Sequence, residues 1–194
     1  ELREKWKAEG ERWPDIVSRM QSRIGLNSGV ATIGNMGSRT RFNYTMMGDN
    51  VNLAARMESA AKQWGVYTLV TDATRRAAEQ HGNRVIFRQL AKLQVVGRQQ
   101  AVPVHEIVGL NDAPPPEAAE CIRLFEEGLA RYYARDWDGA MERFRQSAPL
   151  EPNQPGRTPG AKTNPSLEYQ RIVERCRVEP PPPDWDGRYV MTDK

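Results

Sequence analysis

Residues 23–59, RIGLNSGVATIGNMGSRTRFNYTMMGDNVNLAARMES, combine two strand-like segments with the start of a helix. Apolar residues spaced along the first segment predict a strand that is interrupted at Gly29 and turns at residues 34–37. These apolar residues are Ile24, Leu26, Val30 and Ile33. The alternating segment 41–48 predicts a second strand, which would form a hairpin with the first.

Residues 48–65 carry the clearest helical pattern in the chain. Asp49 is a suitable N-cap, and Gly65 is a suitable C-cap. Between them an apolar stripe recurs at helical spacing, formed by Leu53, Met57, Ala60, Ala61 and Trp64. We therefore expect this helix to bury one face.

The flanking sequence extends this pattern in both directions. A polar helix is predicted over residues 1–12, ending before Pro14. Beyond the central helix, a buried strand at 66–70 precedes a helix that opens at Thr71 or Asp72, and strands follow at 84–90 and 102–108. Because strands and helices mix without strict alternation, the predicted class is α+β.

Composition limits what the chain can be. Only 39% of its 194 residues are hydrophobic, which predicts two modules and argues against one large core. No apolar run is long enough to cross a bilayer, and the N-terminal residues lack the apolar centre of a signal peptide. Two cysteines and two histidines, all far apart, argue against a disulfide framework, a zinc site and histidine-based catalysis. We therefore expect a reducing, cytoplasmic environment.

The net charge of +3 is unevenly distributed. Residues 1–112 carry 16 basic and 11 acidic side chains, and the remaining residues have a small acidic excess. The chain contains no basic cluster interleaved with aromatic residues, so we expect no nucleic-acid partner. A modest basic excess is better suited to a small phosphate compound.

Proline-rich segments divide the chain. Pro114–Pro116 cannot continue a helix or a central strand, and a second stretch at 152–165 mixes Pro, Gly, Asn and Thr. The predicted units are therefore 1–112, 113–152, and a linker, helix and extended tail at 153–194.

Two polar residues of the central helix are candidates for chemistry. Asn52 and Arg56 are four residues apart, so they share a face that is offset from the apolar stripe. The start of a helix favours anions, and a guanidinium matches phosphate oxygens. On spacing alone, however, the pair also fits the solvated face of an ordinary amphipathic helix.

The sequence of residues 23–59 resembles the second half of the catalytic domain of class III nucleotidyl cyclases, the adenylate and guanylate cyclase family. The family pattern is Tyr-x-x-x-Gly-x-x-Val-Asn-x-Ala-x-Arg-Met-Glu. Eight residues match it in order and spacing: Tyr44, Gly48, Val51, Asn52, Ala54, Arg56, Met57 and Glu58. The resemblance covers about residues 1–110 and implies part of a ferredoxin-like domain.

The resemblance also implies roles for individual residues. Asn52 would orient the ribose, and Arg56 would stabilise charge on the α-phosphate during attack by the 3′-hydroxyl. Thr45 stands where the family distinguishes purines, and Thr there favours ATP, although it also fits an ordinary strand residue. Near the end of the domain, Val96 replaces one basic residue of the family and Arg98 retains another, a candidate contact for the triphosphate.

Further parts of the family's site have no counterpart in this sequence. The family's first half supplies two metal-binding aspartates and a purine-reading lysine, and the metals are two Mg or Mn ions. Its active sites lie across a dimer interface. We therefore expect a fragment of a longer homodimeric cyclase, with no metal ligands of its own and inactive alone.

The segment 124–152 resembles one tetratricopeptide repeat. Gly128, Ala140, Phe144 and Pro152 match the repeat's spacing, while Arg131 and Ser147 depart from it. The alternative is an unspecialised helical hairpin. Because one repeat cannot bury its own face, the helix predicted over 166–178 would cover the pair.

The leading hypothesis is an adenylate cyclase of intracellular signalling that converts ATP to cyclic AMP and pyrophosphate. The tail also resembles those of bacterial cyclases with membrane-anchored sensors, and we expect no membrane contact from this segment itself. The alternatives are a non-catalytic interaction module, whose helical tail binds a partner protein, and a nucleotide sensor without turnover.

Overall fold

The computed structural model describes residues 5–6, 8–14, 16–17, 20–82, 84–95, 100–110 and 114–191. The strands are β1 (Ile24–Leu26), β2 (Thr32–Gly37), β3 (Phe42–Met47), β4 (Thr68–Thr71), β5 (Val85–Gln94), β6 (Val102–Leu110) and β7 (Arg188–Val190). The helices are α1 (Asp49–Gln63), α2 (Asp72–Gln80), α3 (Pro116–Tyr133), α4 (Trp137–Ser147) and α5 (Pro165–Val178), with 3-10 turns at Gly10–Arg12 and Ala148–Leu150. The predicted mixed α+β class is confirmed.

Five strands form one sheet in the order β1-β4-β6-β5-β7. Strand β1 is parallel to β4, whereas β6 is antiparallel to both β4 and β5. Strand β7 lies parallel to β5 and closes that edge of the sheet. The predicted N-terminal helix over 1–12 lies partly outside the described residues.

Strands β2 and β3 form a separate antiparallel hairpin. The single interrupted strand that we predicted is therefore two strands in two sheets, because residues 27–31 leave the first sheet before β2 begins. The predicted turn at 34–37 is also wrong, since those residues belong to β2. The chain reverses at 38–41, where Ser38 N donates to Arg41 O at 2.7 Å and Arg41 N donates to Ser38 Oγ at 3.2 Å.

Helix α1 packs its predicted apolar stripe into the core. Leu53, Met57, Ala60, Ala61 and Trp64 are all buried. The helix begins at Asp49 with Gly48 as its N-cap, one residue before the predicted cap. Gly48 has a φ of 134°, a backbone conformation that residues with a side chain disfavour. Gly65 follows the C-cap with a φ of 66°, as expected for a terminating glycine.

Helices α3 and α4 form a hairpin across a three-residue connection. The two helices approach closely at Gly128, where an added Cβ would lie 2.8 Å from Phe144 Cε1. Helix α5 covers the pair, with Tyr169 stacked on Phe144 at 4.8 Å between ring centroids. This arrangement contains the predicted covering helix, and its relation to tetratricopeptide repeats stays a prediction.

One hydrophobic cluster joins the sheet, α1 and the three C-terminal helices. Our expectation that composition excludes a large single core is therefore wrong. Aromatic residues of the tail, including Phe125, Tyr132 and Tyr169, supply the apolar volume that the polar N-terminal segment lacks. The C-terminal helices are thus part of the same packed body as the sheet.

Residues 181–190 form a C-terminal strap over this body. Trp185 packs edge-on against Tyr132 at 5.1 Å, and the Arg135 guanidinium donates to the carbonyls of residues 181–183. Strand β7 then pairs with β5, a pairing that the sequence analysis missed. None of the helices that the structure describes is long and apolar enough to span a membrane.

Candidate active site

The start of α1 is held in place by a network of polar side chains. Asn27, just after β1, donates to the main-chain oxygen of Asn50 at 3.1 Å, and Asn50 Nδ2 donates to Val30 O at 2.9 Å. Thr71, at the end of β4, donates to Asn27 Oδ1 at 2.7 Å. Two strand ends and the first turn of the helix are therefore fixed relative to one another.

Close packing against β1 strengthens this placement. Gly25 lies so near the backbone of α1 at Ala54 that an added Cβ would clash with its carbonyl oxygen. The strand and the helix therefore meet without an intervening side chain. Sequence reasoning did not identify Asn27, Asn50 or Gly25 as positioning residues, although their places at a strand end and a helix start were available signals.

Asn52 and Arg56 lie on the helix face that points away from the core. Asn52 is exposed and Arg56 is half-buried, whereas their neighbours Leu53 and Met57 are buried. Within the described part of the chain, neither polar side chain has a hydrogen-bond or ion-pair partner. The pair is therefore accessible, and the guanidinium is free to bind an anion.

The other two predicted substrate contacts are Thr45 and Arg98. Thr45 is exposed on β3, where it pairs with Gly34 of the hairpin, and β3 ends two residues before α1 begins. Thr45 thus lies on the strand that leads directly into the helix with Asn52 and Arg56. Arg98, like Val96, falls outside the described residues.

The hairpin beside this face exposes a large amount of apolar surface. Every residue of β3 is exposed, including Phe42 at 66% and Tyr44 at 75% of their surface. Met46 lies on the same face of β3 as Phe42 and Tyr44, and its cross-strand partner Ile33 is also exposed. Contiguous apolar exposure on this scale is typical of an interaction surface.

A metal site does not form from the described residues. Among them, no group of three or more His, Cys, Asp or Glu side chains lies close enough together to hold a metal ion. The described residues therefore do not fit the two divalent ions that the family resemblance implies.

A separate polar cluster lies between α2 and the sheet. His105 Nε2 lies 3.2 Å from Asp72 Oδ1, and Arg75 and Arg76 also pair with Asp72. Burial, assisted by the charge of Arg75, lowers the pKa of His105. Burial alone would raise the pKa of Asp72, but the hydrogen bond and charges of its cationic neighbours lower it overall.

Comparison with known proteins gives this geometry a family context. Residues 7–106, slightly more than half of the chain, match the family model described as the adenylate and guanylate cyclase catalytic domain. The chain belongs to this family. Asn52, Arg56 and Thr45 all lie inside the matched segment of the cyclase domain.

Individual relatives carry related names. Adenylate cyclase 1 of Rhizobium meliloti is 36% identical over 94 residues, which cover 48% of this chain and 14% of that protein. The terminal-differentiation-specific adenylate cyclase of Dictyostelium discoideum is 25% identical over 160 residues, or 82% of this chain and 7% of that protein. The chain thus spans a small part of the length of these relatives.

A solved structure is also similar to part of this chain. The crystal structure of the adenylyl cyclase CyaB from P. aeruginosa is 29% identical, and the match covers 59% of this chain and 53% of that one. The TM-score of this match is 0.43.

Proposed function

We propose that this chain is part of an adenylate cyclase that converts ATP to cyclic AMP and pyrophosphate in intracellular signalling. The observation that carries the proposal is the accessible Asn52–Arg56 face of α1 within a domain of the cyclase family. The relatives named as adenylate cyclases support the choice of reaction.

In the proposed reaction, the ribose 3′-oxygen attacks the α-phosphorus, a new P–O bond forms, and the bond to pyrophosphate breaks. The 3′-hydroxyl proton passes to solvent water, and pyrophosphate leaves with the electron pair of the broken bond. Arg56 stabilises the negative charge that builds up on the α-phosphate oxygens, because its guanidinium has no competing partner among the described residues. The Asn52 amide, one turn earlier, orients the ribose.

We propose that Thr45 selects the purine base of the substrate. Its hydroxyl both donates and accepts hydrogen bonds, and its exposed position on β3 leaves it accessible to a purine. We propose ATP over GTP as substrate on the family resemblance. Arg98 is retained as a proposed contact for the triphosphate.

The remaining parts of the active site would come from outside the described residues. Two Mg or Mn ions would be held by carboxylates that this part of the chain does not provide. The exposed apolar hairpin supports a homodimer through the cyclase domain, since pairing would cover Phe42 and Tyr44. The ferredoxin-like topology, the cytoplasmic location and the membrane-anchored sensor stay predictions.

The test is cyclic AMP formation by the intact protein that contains this chain. We expect Arg56→Ala to lower kcat by a factor of about 100 or more, as removal of a transition-state donor does. Arg145→Ala is the matched control, because Arg145 is an exposed arginine on α4 outside the proposed site. Equal rates for the Arg56 and Arg145 variants would contradict the assignment.

A non-catalytic interaction module is the second candidate. It is favoured by the missing metal-ligand cluster among the described residues and by the apolar hairpin. On that hypothesis, the intact protein forms no cyclic AMP with Mg or Mn, and replacing Phe42 and Tyr44 with serine abolishes association with its partner. ATP binding without turnover would instead indicate a nucleotide sensor.

A further inference from the structure

A basic cavity lies where three separate segments of the chain meet. Its volume is about 280 Å³, and its walls come from the residue before β1, the C-terminal end of α1 and the linker that precedes α5. Arg23, Lys62 and Lys162 line it, one from each segment, together with Tyr67. None of its lining residues is acidic.

Within the described part of the chain, Arg23, Lys62 and Lys162 form no ion pair. The Nε atom of Arg23 is buried and has no hydrogen-bond partner in that part of the protein. A buried donor without a partner is unfavourable, and neighbouring like charges repel. An anion inside the cavity would offset the repulsion among the three cationic side chains.

We propose that this cavity binds a small phosphate-bearing anion. A guanidinium presents a planar fork of donors to phosphate oxygens, and the two ammonium groups add point charges that tolerate several ligand geometries. The cavity is near the lower limit of the sizes usual for ligand sites, so a compact anion fits better than a drug-sized molecule.

The cavity is distinct from the proposed active site. Lys62 follows Arg56 by six residues on α1, which places it roughly 9 Å further along the axis and roughly 120° around the helix. Arg56 does not line the cavity. Binding here is therefore separable from binding of the substrate.

Because the cavity lies between the linker and the cyclase domain, an anion bound there would connect these two parts. The linker is already attached to the cyclase domain, since Gln21 Nε2 donates to Pro159 O at 2.6 Å and Asn153 Nδ2 donates to Gly65 O at 3.2 Å. An anion held by Arg23, Lys62 and Lys162 would add a bridge between the same two parts. The bound state therefore has a more firmly held linker than the free state.

The test is calorimetric titration of the full chain with inorganic pyrophosphate and with inorganic phosphate. We expect one site per chain, and we expect Lys162→Gln to weaken pyrophosphate binding by roughly tenfold, the usual effect of losing one charge-assisted contact. Arg157→Gln is the matched control, because it removes one positive charge from the same linker at an exposed residue outside the cavity. Its affinity should stay within about twofold of the parent.

Three results would overturn the proposal. The first is no binding of either anion at millimolar concentration. The second is an equal loss of affinity in the Lys162 and Arg157 variants, which would indicate general attraction to a basic surface. The third is loss of pyrophosphate binding in Arg56→Ala, which would place the anion at the proposed active site. Retained binding in Arg56→Ala supports the cavity even if the proposed cyclase activity fails its own test.

Discussion

The guanidinium of Arg88, on β5, lies 3.0 Å from the carboxylate of Glu151 in the segment that follows α4. Arg88 also pairs with Glu106 of β6, and its guanidinium lies 4.8 Å from the ring centroid of Phe125. Glu151 in turn accepts hydrogen bonds from the main-chain and side-chain donors of Ser166 at 3.1 and 2.6 Å. A buried polar network therefore joins the cyclase-family sheet to the C-terminal helices.

Removal of the central cation should be severely destabilising. Arg88→Met leaves two buried carboxylates without their shared partner, and we expect the free energy of unfolding to fall by about 3–5 kcal/mol. Urea denaturation followed by circular dichroism measures the change.

The control for this variant is Arg123→Met, which removes an exposed arginine that pairs with Glu120 and Glu127. That substitution should change stability little, because exposed ion pairs are screened by water. Combining Arg88→Met with Glu106→Gln and Glu151→Gln should recover part of the loss, since no unpaired charge then remains. Similar losses for the two single variants would contradict a special role for the buried network.

Stability should depend on the protonation of His105. Burial lowers the pKa of this side chain from its usual 6.5, so the folded state takes up the proton less readily than the unfolded chain. The contribution of His105 to the free energy of unfolding is therefore complete above pH 6.5 and declines as the pH falls below that value. Chemical denaturation between pH 5 and about pH 8 measures the slope.

Replacement of His105 by Gln should flatten the pH dependence in this range. His81→Gln is the control, because His81 is an exposed histidine just after α2. Neighbouring charges from Asp72, Arg75 and Glu79 stay in place in both variants. An unchanged slope in the His105 variant would show that another group dominates.

The close approach of α3 and α4 can be tested at Gly128. Helix propensity alone predicts that Gly128→Ala stabilises the protein by up to about 1 kcal/mol. The added Cβ would, however, lie 2.8 Å from the ring of Phe144, so we expect a net loss of about 1–3 kcal/mol. The sign of the change in unfolding free energy separates the two effects.

A second substitution makes the Gly128 test specific. Gly128→Ala combined with Phe144→Leu should be less destabilising than the sum of the two single changes, because the smaller side chain leaves space for the methyl group. Additive losses would indicate that the clash is relieved in some other way.

The C-terminal strap should contribute to global stability. Trp185 is half-buried against Tyr132 and Trp137, and we expect Trp185→Ala to cost about 2 kcal/mol. Limited proteolysis should cut the variant after residue 178 more readily than the parent protein. Asp184→Ala, at the exposed neighbouring position, should leave both measurements unchanged.

Local sequence patterns predicted much of the fold because they depend on neighbouring residues only. The apolar stripe of α1, a start of α2 at Thr71 or Asp72 and the strands β4 to β6 were all predicted from spacing and capping residues, and Thr71 is the N-cap of α2. The candidate residues Asn52 and Arg56 came from helical spacing and from the resemblance to the cyclase family. Their chemical roles stay predictions.

Other features needed the tertiary structure because they join residues far apart in the chain. Arg88 and Glu151 are separated by 63 positions, and no local pattern predicts that their charges meet in one buried network. Strand β7 was missed because its three residues gain their strand character from the edge of β5. The basic cavity of Arg23, Lys62 and Lys162 likewise exists only where three segments converge.

The sequence by itself determined the family, most of the helices and strands, and the polar face of α1, since each depends on residues within one or two helical turns or on a contiguous motif. Only the tertiary structure decided that the C-terminal helices share one core with the sheet. The physical reason is that burial of apolar surface is non-directional. Any of several packings satisfies the sequence pattern, and the long-range contacts of the folded chain select one.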